Sequence, residues 1–122
     1  GTRLQTSMVI HSNHPNELDD SVGSSLLALK SAGITVMNQS VLMAGINDDT
    51  DTLAQLSERL FEFGTLPYYL HQLDKISGAA HFEVSDETAR QLHSQLLVRL
   101  PGYLVPKLVR EIPGSPSKVP LT

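Results

Sequence analysis

Five histidines, a run of aspartates and Lys118 are the residues of this chain best suited to chemistry. His11 and His14 stand three apart, a spacing that would suit zinc on one helical face. Here the pair straddles a strand end and a loop, with no third ligand nearby in sequence. His71, His81 and His93 are scattered, and His93 reads as an exposed helix position. Asp48, Asp49 and Asp51 hint at calcium, but the EF-hand spacing and its terminal Glu are missing. Helix capping is the plainer explanation for them. No GxSxG elbow is present, so a serine-hydrolase triad cannot be assembled. The chain has no cysteine. That removes a thiol nucleophile, a disulfide and any Cys-ligated zinc or iron–sulfur site within these residues. Lys118 follows residues 113–117 (PGSPS). It is either a solvated lysine on an unstructured tail or an amine held for a Schiff base with an aldehyde cofactor.

These groups need elements to position them. Residues 5–11 (QTSMVIH) read as a buried strand, and 12–17 (SNHPNE) as a loop broken by Pro15. Residues 19–32 read as a helix with Asp19 and Asp20 at its N-terminus, Val22, Leu26 and Leu29 along one side, and Gly33 as the stop. Residues 34–39 (ITVMNQ) predict a second strand. Residues 40–48 predict an apolar connection around Gly45. Residues 49–63 give the clearest helix, with Leu53, Leu56, Leu60 and Phe63 in one stripe and Gly64 at its end. Residues 66–70 (LPYYL) predict a third strand. Ser85 caps a third helix over 85–100, striped by Ala89, Leu92, Leu96 and Leu100 and stopped by Pro101 and Gly102. Residues 103–109 (YLVPKLV) predict a fourth strand, weakened by Pro106.

The order β-α-β-α-β-α-β predicts an α/β fold of right-handed βαβ units on a parallel sheet. It suits a small open α/β domain and half of a barrel equally. His11, Gln39 and the His71-Gln72 pair fall at or just past strand C-termini. In parallel α/β folds that edge builds the active site. Local hydrogen bonding of loop-facing polar residues is the plainer alternative.

At 122 residues the chain is one domain or one piece of a larger one. Its 40% hydrophobic content is enough for a core. Nine basic against thirteen acidic residues leave a net charge of −4. That argues against a nucleic-acid binder working through phosphates. No apolar run approaches the ~20 residues of a membrane span. No secretory signal pattern is present, which fits a cytoplasmic location.

Several segments taken together resemble one family. They are residues 11–17 (HSNHPNE), 38–42 (NQSVL), 45–48 (GIND), 67–74 (PYYLHQLD), 78–82 (GAAHF) and the tail 113–120. In order and spacing they resemble the C-terminal part of the lysine 2,3-aminomutases. The likeness is greater to the bacterial type that makes (R)-β-lysine for modifying elongation factor P. The resemblance implies the C-terminal part of a partial (β/α)6 TIM-like barrel over residues 1–112, and a pyridoxal-phosphate lysine tail over 113–122. It implies a radical isomerase that converts L-lysine to β-lysine with S-adenosylmethionine, pyridoxal 5′-phosphate and a [4Fe–4S] cluster. Lys118 matches the lysine that binds pyridoxal phosphate. His11 and Gln39 match contacts to S-adenosylmethionine. Asp74 and Glu111 match acidic anchors for the distal ammonium of the substrate, Glu111 standing where the catabolic enzymes carry Asp. The cluster motif CxxxCxxC and the clamp for the substrate carboxylate are expected outside these residues, and the fragment alone is expected to be inactive. The contrasting expectation is a stand-alone α/β module that binds a small ligand or partner. Its bare strand edges would then call for dimerisation or swapping.

Overall fold

The computed structural model describes residues 7–72, 83–111 and 118–120, with residues 111 and 118–120 described by backbone alone. Strand β1 (Ser7–Ile10) leads through a short 3-10 turn (Pro15–Glu17) to helix α1 (Asp20–Ser31). Strand β2 (Thr35–Leu42), helix α2 (Thr50–Glu62), strand β3 (Thr65–Gln72) and helix α3 (Asp86–Arg99) follow. A second 3-10 turn (Gly102–Leu104) precedes strands β4 (Lys107–Glu111) and β5 (Lys118–Pro120).

Local chemistry sets the helix ends. Asp19 accepts the Val22 N–H at 2.8 Å, and Asp49 accepts the Thr52 N–H at 2.7 Å. Ser85 accepts the Thr88 N–H at 3.2 Å. Each side chain satisfies a backbone donor that the first helical turn leaves unpaired. Gly33 and Gly64 follow α1 and α2 at φ +85° and +72°, a left-handed conformation that only glycine adopts cheaply.

The four strands β1 to β4 are parallel and lie in sequence order, and β5 pairs antiparallel with β4. Val36 and Leu42 share one face of β2 by strand alternation. Val36 packs with Leu26 of α1 and with Leu56 and Leu60 of α2. Leu42 packs with Leu53 of α2, Leu70 of β3, Ala89, Leu92 and Leu96 of α3, and Leu108 of β4. All three helices therefore cover the same side of the sheet.

The fold agrees with the α/β order read from sequence and corrects it in five places. Strand β1, read as buried, lies at the edge of the sheet with Met8 and Val9 exposed. Strand β2 runs on to Leu42, so Gln39 lies inside a strand and not at its end. Residues 102–104 form a 3-10 turn, and β4 starts only after Pro106, whose ring removes the N–H a strand would use. The tail contributes a strand, because β4 offers residues 118–120 a free edge. His93 is buried and not exposed: its Nε2 donates to the Pro106 carbonyl at 2.9 Å, which offsets the cost of taking the ring out of water. No helix among the described residues is long and apolar enough to cross a membrane.

Candidate functional site

Three asparagines tie together the loops at the C-terminal edge of the sheet. Asn38 grips the loop after β1 from below: its Oδ1 accepts the Ser12 N–H at 2.8 Å, and its Nδ2 donates to the Ser12 carbonyl at 3.0 Å. Asn13 reaches back, its Oδ1 accepting the Val41 N–H at 2.9 Å. Asn47 closes the circuit. Its Nδ2 donates to the carbonyls of Asn13 and Val41, both at 2.8 Å, and its Oδ1 accepts the Met43 N–H at 2.8 Å. Asn38 and Asn47 are fully buried, so each amide must find these partners inside the protein. Asp48 accepts the Gly45 N–H at 2.9 Å and fixes the adjoining turn.

The side of the sheet away from the helices carries successive rows of side chains. The register pairs Val9 with Met37 and Met37 with Leu66, making an apolar row near the strand N-termini. The next row is polar. Gln39 pairs with Tyr69, and Tyr69 with Lys107. Ile10 pairs with Asn38, and His11 follows directly after β1, where that register ends. Above the polar row Val41 pairs with His71, and His71 with Val109. A bulge between Asn38 and Gln39 sets two residues of β2 against three of β3, and Pro67 sits at that irregularity. There the absent N–H of proline costs little in a central strand.

Side chains on this open face touch one another. Gln39 Oε1 and His71 Nε2 lie 3.1 Å apart, with the ring N–H donating. The rings of Tyr69 and His71 meet edge-on at 5.8 Å, and those of Tyr68 and Tyr69 are 4.4 Å apart. Hydrogen bonding to Tyr68 raises the Tyr69 hydroxyl above its usual pKa, so it stays protonated.

The sequence-derived candidates are distributed as follows. His11 is exposed directly after β1, and Gln39 is half-buried beside His71. His14 does not join His11 in a metal pair, because its Nδ1 accepts the Asn16 N–H at 3.1 Å. Among the described residues no three His, Asp or Glu converge as metal ligands. Of the three aspartates, Asp49 caps α2 and Asp51 pairs with Arg99. Lys118 stands opposite Glu111 in the β4–β5 register. Asp74 and His81 lie outside the described residues.

One cluster escapes sequence reasoning. Arg110 pairs with Asp86 at the start of α3, and the buried Gln72 donates to Asp86 at 3.1 Å and to the Val84 carbonyl. Gln72 thus faces the helices while its neighbour His71 faces the open side. The only sequence signal was the alternation of strand β3.

No family model matches the chain. It is 54% identical over 118 residues to the L-lysine 2,3-aminomutase of Escherichia coli K12, a stretch that is 97% of this chain and 34% of that protein. By sequence, the chain belongs to the lysine 2,3-aminomutase family. The L-lysine 2,3-aminomutase of Haemophilus influenzae is 53% identical over 117 residues, 96% of this chain and 35% of that protein. That of Buchnera aphidicola is 47% identical over 118 residues, 97% of this chain and 35% of that protein. The chain spans about a third of the length of these aminomutases.

Proposed function

We propose that this chain is the C-terminal part of a lysine 2,3-aminomutase that converts L-lysine to β-lysine, with elongation factor P as the destination of the product. The observation that carries the reading is the contact of Gln39 with His71 on the open face. Gln39 is one of the two positions that the resemblance assigns to S-adenosylmethionine, and His11, the other, directly follows β1 at the edge where parallel sheets build their sites.

Sheet topology supports a partial (β/α)6 barrel. With strands in the order β1-β2-β3-β4, every right-handed crossover puts its helix on the same side. A sheet wound in one direction leaves its other side bare and closes when further βα units continue it. The row Val9, Met37 and Leu66 has the apolar character of a barrel floor. Gln39, Tyr69 and His71 have the character of its mouth.

The residues of the open face fit flat, heteroatom-rich ligands. Tyr68 and Tyr69 offer ring faces, and the Gln39–His71 pair offers hydrogen-bonding edges. They do not fit an iron–sulfur cluster, since the chain has no cysteine. In this reading the cluster ligands come from the rest of the longer protein. S-adenosylmethionine supplies a hydrogen-abstracting radical and pyridoxal phosphate a carrier for the migrating amino group. The work of this chain is simpler. Gln39 and His71 hold each other in place and orient a ligand above them. Lys118 supplies the amine that tethers pyridoxal phosphate. Asp74 and Glu111 receive the distal ammonium of L-lysine, where charge-assisted hydrogen bonds are strong and directional.

The test uses the full-length protein with reconstituted cluster, pyridoxal phosphate and S-adenosylmethionine. β-Lysine should form from L-lysine, and Lys118→Ala should abolish both product and the visible absorbance of lysine-bound cofactor. Wild-type protein that forms no β-lysine overturns the reading.

A further inference from the structure

One charged residue on the open face has no assigned part. Lys107 opens strand β4 and stands in the row of Gln39 and Tyr69. A chain of contacts joins it to them. Its Nζ lies 5.6 Å from the centroid of the Tyr68 ring. Tyr68 then meets Tyr69, Tyr69 meets His71, and His71 meets Gln39. The ring face orients the ammonium by cation–π attraction, and among the described residues its N–H donors have no oxygen acceptor. Among the described residues no carboxylate lies within ion-pair distance of Lys107.

A cation placed by an aromatic face beside a row of polar side chains is suited to an anionic oxygen. We propose that Lys107 is an anion-binding residue of the open-face site, receiving a carboxylate or phosphate oxygen of the ligand held there. The inference rests on the function proposed above for its two ligand sources: the phosphate of pyridoxal phosphate and the carboxylate of S-adenosylmethionine. Enclosure of the face would strengthen the contact, since water and salt no longer screen it.

The experiment compares full-length wild type with Lys107→Gln, Lys107→Met and Lys107→Arg. Pyridoxal phosphate binding is read from the absorbance of the lysine-bound cofactor, and S-adenosylmethionine binding from titration calorimetry. The two neutral variants should weaken one ligand by about tenfold or more, while Lys107→Arg stays within about threefold of wild type. Loss on the pyridoxal phosphate arm identifies the phosphate, and loss on the S-adenosylmethionine arm the carboxylate. Lys107→Met keeps the apolar stem against Tyr68, so the comparison survives if Lys107→Gln fails to fold. Affinities within about twofold of wild type for both ligands overturn the proposal while leaving the functional reading intact. Wild type that binds neither ligand overturns that reading, and this proposal with it.

Discussion

Asn13, Asn38 and Asn47 do with side-chain amides what a sheet does with backbone groups: they hold neighbouring segments at fixed spacing. Asn47→Ala would strand the part-buried carbonyls of Asn13 and Val41 and the Met43 N–H. We expect a loss of about 2–4 kcal/mol, read by urea unfolding of the full-length protein. A loss below about 0.5 kcal/mol would show that the loops do not depend on this amide. Asp49 acts more locally. The backbone N–H and hydroxyl of Thr52 hold its carboxyl below the ordinary 3.8. A depressed carboxylate stabilises the fold above its unfolded pKa, and the effect disappears as pH falls through the folded value. Asp49→Ala should therefore cost about 1 kcal/mol at neutral pH, and the gap should narrow only below pH 3.8. A gap that instead narrowed between neutral pH and 5 would mean another group is responsible. The Asp49 cap was legible because its partner is three residues away. The roles of Asn38 and Asn47 were not, because they bond residues 26 and 34 positions distant.

Among the elements, α2 shows its stripe most plainly, and Leu53, Leu56 and Leu60 are all buried as the spacing predicts. Helix α1 departs from its stripe. Val22 is exposed, and the buried position beside it is Gly23. The reason is Phe63 at the end of α2: a Cβ at Gly23 would come within 2.3 Å of its ring. Gly23→Ala sets a gain of about 1 kcal/mol in helix propensity against about 1–3 kcal/mol of overpacking. Phe63 is also held by Arg59, 5.2 Å from its centroid, so we expect net destabilisation. Thermal unfolding of Gly23→Ala alone and with Phe63→Leu checks this. The double variant should recover the loss, and a single variant more stable than wild type would refute the packing argument. Propensity and period predicted that a helix would form at 19–32, but only the neighbouring helix decided which residue it could bury.

At the scale of the whole molecule the defining feature is a sheet covered on one side. Val9 and Leu66 are 42% and 41% exposed on the bare side. Soluble proteins rarely leave such surface open, so the 122-residue chain on its own should self-associate. Sedimentation velocity would show a concentration-dependent mass, and Leu66→Glu should restore the monomer. A wild-type chain that stays monomeric across a concentration series would mean this face needs no cover. The sequence by itself determined what depends on near neighbours: three helices with their caps and stops, strands between them, an α/β order, and motifs specific enough to point to the aminomutase family. It also determined, through the absence of cysteine, that no thiolate from this chain holds a cluster. Only the tertiary structure decided which side each strand residue faces, that Gln39 joins His71, that His93 is buried against Pro106, and that the tail returns as β5. Caps and periodicity are written within a few residues. Register, burial and edge pairing depend on segments tens of residues apart, and they are fixed only when the sheet has assembled.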